Sequence, residues 1–83
     1  MREFNSFNEV KEFVGNIDVN LMDYKRRDLE LLLEDLKEAK RYIRKEMSMF
    51  MTMEVFDLYD LILSIIYDVK MEIELDDYAK DEE

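Results

Sequence analysis

Residues 22–50 read MDYKRRDLELLLEDLKEAKRYIRKEMSMF, and within them Met22, Leu29, Leu36, Ile43 and Phe50 recur every seven residues. A strict seven-residue apolar repeat marks a helix that keeps one face against a partner. Leu32, Leu33, Ala39 and Met47 widen that stripe into a core-facing surface. Acidic residues gather in the middle of the stretch (Asp28, Glu30, Glu34, Asp35, Glu38) and basic ones follow (Lys37, Lys40, Arg41, Arg44, Lys45). The late cations suit the negative end of a helix dipole. The early cluster Lys25-Arg26-Arg27 opposes the positive end and calls for acidic groups from elsewhere. The helix is expected to start near Asp18–Asn20, either of which can cap it, and to run to about Ser48.

Beyond this stretch the apolar phase changes. Continuing the seven-residue series past Phe50 lands on Asp57, whereas a new series begins at Val55, Ile62 and Val69. No glycine or proline forces a break, so one continuous helix is the alternative; the phase change favours a turn near Ser48–Thr52, with Thr52 capping a third helix over Met53–Asp76. In that helix Asp57, Asp60, Ser64, Asp68 and Glu72 form one narrow polar stripe, and every other residue from Val55 to Val69 is Val, Phe, Leu, Ile or Tyr. Residues 69–75 alternate in the manner of a strand, but no partner strand is in sight and the helical reading is kept. Tyr78–Glu83 reads as a frayed acidic tail beyond a single domain over 1–77.

Upstream, Ser6-Phe7-Asn8-Glu9 is a capping box. Phe7, Val10, Val14 and Ile17 follow on one face with Phe13 beside them, and Gly15 is the natural left-handed residue to end this first helix before Asn16. The fold expected is all-α: a short N-terminal helix followed by a long antiparallel helical hairpin. A third helix apolar nearly all round needs cover on several sides. Leaving three or four large side chains wet would forfeit about 1.5–3 kcal/mol each. Two hairpins forming a helical bundle as a homodimer meet that need, with Tyr59, Ile62, Leu63, Ile65 and Ile66 as the self-association surface. A monomeric three-helix core is the plainer alternative.

Chemistry-bearing patterns are few. The chain has no histidine and no cysteine, and Ser6, Ser48 and Ser64 have no recognisable base, so no enzyme is expected. Residues 16–20 open like a calcium loop, but Leu21 stands where such a loop needs glycine and Arg27 where it needs glutamate. No metal or other cofactor is expected. The uncharged runs Met47–Met53 and Leu61–Tyr67 are far too short to span a bilayer, and the first residues lack the apolar core of a secretory signal. The expected compartment is the cytoplasm, or the host cytoplasm for a viral protein. Met47, Met49, Met51 and Met53 read as gap-filling core or as part of a partner interface.

Charge carries the functional expectation. Of 83 residues 22 are acidic and 12 basic, a net charge of −10, which disfavours direct binding to nucleic acid. Residues 1–46 hold 10 basic and 11 acidic residues; residues 47–83 hold 2 basic and 11 acidic. An antiparallel hairpin turning near residue 50 should set Arg44 by Asp57, Arg41 by Asp60, and Lys25–Arg27 opposite Glu74–Asp77. Acids then remain in excess along the third helix. Asp57, Asp60, Asp68, Glu72, Glu74, Asp76 and Asp77 are the candidate docking residues for another protein with a basic surface. The leading expectation is a stoichiometric inhibitor that mimics nucleic acid with this acidic helix. The alternative is a homo-oligomeric helical module in which the acids only keep the protein soluble.

Overall fold

The computed structural model describes residues 3–18, 20–49 and 51–81. Three α-helices account for most of them: α1 (Phe7–Gly15), α2 (Arg26–Glu46) and α3 (Met53–Asp81), with a single 3-10 turn at Leu21–Asp23 between the first two. Among the described residues there is no strand, so residues 69–75 are helical despite their alternation. α2 and α3 form the antiparallel hairpin, in a molecule 49 Å long and about 20 Å across.

The hairpin is held by two facing apolar seams. On α2 the buried residues are Leu29, Leu32, Leu36, Ala39 and Ile43, spaced alternately by three and four. On α3 they are Val55, Ile62, Ile66 and Val69, with Ile73 packed at the edge. Both series keep the 3.5-residue average that lets two helices stay in contact along their length. Met22, the first member of the seven-residue series, is 81% exposed because the chain there has left the helix; Phe50 lies outside the described residues.

α1 closes one side of this core. The Ser6 hydroxyl accepts from the Glu9 amide at 3.2 Å, while the Glu9 carboxylate reaches one residue past the box to accept from the Asn5 amide at 2.6 Å. Val10, Phe13 and Val14 are buried, and Phe4 tilts against Phe13 with ring centroids 5.4 Å apart. Lys11 ties α1 to the first turn of α3 through Glu54. Gly15 departs from expectation. It is the last helical residue, no described residue has positive φ, and the helix ends on Asn16, whose amide donates to the Glu12 and Phe13 carbonyls.

α2 starts later than its sequence suggests. Asp18 and Asn20 do not cap it; they organise the connection instead. The Asn20 amide donates to Asp18 Oδ1 at 3.0 Å, the Asn20 side chain donates to Asp23 at 2.9 Å, and the Asp18 amide donates to the Tyr24 hydroxyl. Such short polar side chains compete with helical hydrogen bonding, which is why the chain makes a 3-10 turn here. Lys25 then stands at the N-cap with no side-chain capping bond. At the other end α3 is capped as expected: Thr52 Oγ1 accepts from the Val55 amide at 3.4 Å. α3 runs past Asp76 to Asp81, so the first four residues of the acidic tail continue the helix.

Two substitutions test this account of the core. At Gly15 an added Cβ meets nothing within 4 Å and the backbone is already helical. Gly15→Ala should therefore raise the unfolding free energy by about 0.4–1 kcal/mol, chiefly by restricting the unfolded chain. Ile62 is fully buried midway along the hairpin, and Ile62→Ala should cost about 2–5 kcal/mol. Urea denaturation followed by circular dichroism reads both.

Candidate protein-docking surface

The charged ends of the hairpin meet. The Arg26 guanidinium, in the first turn of α2, grips the Asp77 carboxylate with two nitrogens, one of them at 3.1 Å, and lies 3.7 Å from Asp76. Its Nε also pairs with Glu30 at 3.1 Å. The end of α3 thus delivers carboxylates to the N-terminus of α2, where the dipole favours anions and where the chain itself has placed cations. The acidic answer expected for Lys25-Arg26-Arg27 is present at Arg26; among the described residues Lys25 and Arg27 make no ion pair, and neither does Glu74.

Farther along, the expected pairing does not form. Arg41 bonds Glu38 of its own helix at 2.7 Å, and among the described residues no ion pair joins Arg41 to Asp60 or Arg44 to Asp57. The phase of α3 explains the difference: Asp57 and Asp60 each stand two residues from a buried seam residue, Val55 and Ile62, and at about 100° per residue that turns both away from α2. Tyr59 takes their place beside Arg44: with Ile43, Ser48 and Met51 the two line an open concavity of about 280 Å³.

The candidate docking residues therefore divide. Asp57, Asp60, Asp68 and Glu74 are exposed, and none of them makes an ion pair with another described residue. Glu72 is half-buried. Asp76 and Asp77 belong to the Arg26 cluster and are already paired across the hairpin. Asp68 and Glu72 line an open concavity of about 440 Å³ with Asn20, Leu21, Met22, Tyr67 and Met71. Two carboxylates beside methionine and tyrosine suit a lysine or arginine side chain, whose stem is apolar and whose head is cationic.

The candidate self-association residues also divide. Ile62 and Ile66 are in the chain's own core, and Tyr59 and Ile65 are partly buried, because these residues point to α2 or its flanks. Leu63 alone lies on the outward face. The exposed apolar residues of α3 are instead Met53 at its start, then Phe56, Leu61, Leu63, Tyr67, Met71, Leu75 and Tyr78. Their signal in the sequence is residue type. The buried seam is β-branched (Val55, Ile62, Ile66, Val69), whereas the outward residues are Leu, Phe, Tyr and Met.

Sequence reading also underrated the basic stretch of α2. Lys37, Lys40, Arg41, Arg44 and Lys45 line an open concavity of about 470 Å³, and of the five only Arg41 makes an ion pair with another described residue. Among the described residues no group of three or more carboxylates converges as a metal site, and no helix is long and apolar enough to cross a membrane. No protein-family model, curated protein or solved structure matches the chain.

The Arg26 cluster makes a prediction of its own. All its members are partly exposed, so Arg26→Gln should lower stability by no more than about 1 kcal/mol. The effect should concentrate at one end, as faster hydrogen exchange in the last turns of α3 with little change at Ile62. Unchanged exchange there would mean that packing alone anchors the end of α3.

Proposed function

We propose that the protein is a non-enzymatic, stoichiometric inhibitor of the nucleic-acid-mimic type, acting in the cytoplasm or in a host's. The acidic face of α3 docks into a basic site that another protein uses to hold nucleic acid. The supporting observation is the set of exposed carboxylates Asp57, Asp60, Asp68 and Glu74, unpaired with other described residues. They lie on one rigid helix over roughly 25 Å of its length. Within this line Asp57 and Asp60 stand one turn apart, as Asp68 does from Glu72, at about 5–6 Å, comparable to successive phosphates along a strand. Tyr67 and Met71, beside Asp68 and Glu72, offer apolar contact around the charges. A restriction, CRISPR, repair or transcription protein is the class of target that this chemistry fits, and steering between opposite charges would make association fast and salt-sensitive.

The test is competition with duplex DNA for purified proteins of those classes. The wild-type chain should displace DNA from its target in a saturable one-to-one manner. Neutralising Asp57, Asp60 and Asp68 to Asn should weaken that displacement at least about tenfold and flatten its salt dependence. Asp76→Asn with Asp77→Asn should matter less, since Arg26 already occupies both. Full potency in the triply neutral variant would sink the mimicry reading.

A second reading, a self-associating helical module, is favoured by a different observation. Phe56, Leu63, Tyr67, Met71 and Tyr78 are between 37% and 67% exposed on a helix that already has one buried seam. Exposed apolar groups on that scale mark interaction surfaces.

A further inference from the structure

On α3 a second seam runs opposite the first: Phe56, Asp60, Leu63, Tyr67, Met71, Glu74 and Tyr78 recur at intervals of three or four residues and are all exposed. That period is the one at which a helix packs against another along its length. On α2 the neighbouring surface is the basic stretch 37–45. The shared concavity of Arg44 and Tyr59 shows that the two adjoin, because Phe56 and Leu63 lie one turn to either side of Tyr59. One face of the hairpin is therefore basic on its α2 half and apolar with carboxylates on its α3 half.

We infer that a second copy of this chain covers that face, with each α3 lying against the basic stretch of its partner's α2. A surface split in this way is complementary to itself after a two-fold rotation, so both contacts form at once and the interface closes. Charge decides against the simpler pairing of α3 with α3. Residues 53–81 carry 9 acidic and 2 basic residues, and two such helices side by side would repel. Residues 37–45 carry 5 basic residues and 1 acidic. The long stems of Lys37, Lys40 and Arg44 can lie over Leu63 and Tyr67 while their heads reach Asp60 and Glu74. This inference rests on the self-association reading and not on the inhibitor reading.

Charge reversal provides the test, since Lys37, Arg44, Asp60 and Glu74 are all exposed and outside the hairpin core. By light scattering behind size exclusion, the wild-type chain should be a dimer that weakens as salt rises. Lys37→Glu with Arg44→Glu, and separately Asp60→Lys with Glu74→Lys, should each raise the dimer dissociation constant about tenfold or more. Each variant should keep the wild-type helical circular dichroism. Mixing the two variants should restore a dimer, now a heterodimer, because each contact regains opposite charges. A wild-type monomer at the highest soluble concentration overturns both the inference and the self-association reading. A wild-type dimer whose reversed variants still self-associate, or fail to recover on mixing, overturns the pairing of α3 with α2 and leaves self-association standing.

Discussion

The rotation of α3 about its own axis is the constraint on which the rest of the molecule depends. From Val55 to Val69 the helix offers apolar side chains in nearly every direction, so hydrophobicity alone could bury several different faces. The face chosen is Val55, Ile62, Ile66 and Val69 against Leu29, Leu32, Leu36 and Ile43. β-branched side chains have few rotamers to lose on burial, and branched stems opposite leucines fill the interface without voids. Leu, Phe, Tyr and Met, which keep more conformational freedom or carry a polar tip, are left outside. Once this rotation is set, so is the direction of every carboxylate on the helix.

The Arg26 cluster fixes the second coordinate, the longitudinal register. A cation at the start of a helix is locally unfavourable, and the 3-10 turn leaves α2 without a side-chain cap to offset it. Asp76 and Asp77 offset both defects from the end of the neighbouring helix. Exposed pairs of this kind contribute only about 0–1 kcal/mol, far less than the seam, yet they distinguish registers that the seam alone would tolerate. The register they select leaves Lys37, Lys40, Arg44 and Lys45 without carboxylate partners among the described residues. Stability at one end of the hairpin thus leaves charge unspent at the other.

The helices, the hairpin and the capping of α1 and α3 are legible in the sequence because each rests on local periodicity or on a cap within three residues. The late start of α2 is not, because Asp18 and Asn20 have the composition of caps and reveal their use only through Tyr24 and Asp23. Gly15 misleads for a related reason: glycine permits a left-handed ending without requiring one, and Asn16 ends α1 with ordinary backbone angles. The acidic stripe is legible as composition, but its division into committed and free members is not. Asp76, Asp77 and Asp57 are equivalent by charge; they differ in the side of α3 they occupy and in whether a cation such as Arg26 stands within reach. The outward turn of Asp57 and Asp60 likewise leaves the basic face of α2 open, a face that a pairing argument assigns to those two acids.

Both readings of function draw on α3, and that shared use links them. Asp60 and Glu74 belong to the free acidic set and also to the outward apolar seam, so a partner's α2 and a basic target would compete for them. Whatever binds only the single chain pulls the equilibrium away from the pair by mass action. The basic stretch of α2 carries five cations within about two and a half turns, and so offers the acidic helix the same kind of surface that a nucleic-acid-binding cleft would. Self-association would then hold the acidic seam covered until a more strongly basic site displaced the second copy. Such a chain would keep its exposed apolar residues out of water while paired and would release them as contact area on docking. In that arrangement the solubility of the acidic face and its recognition of a partner would be two uses of one surface.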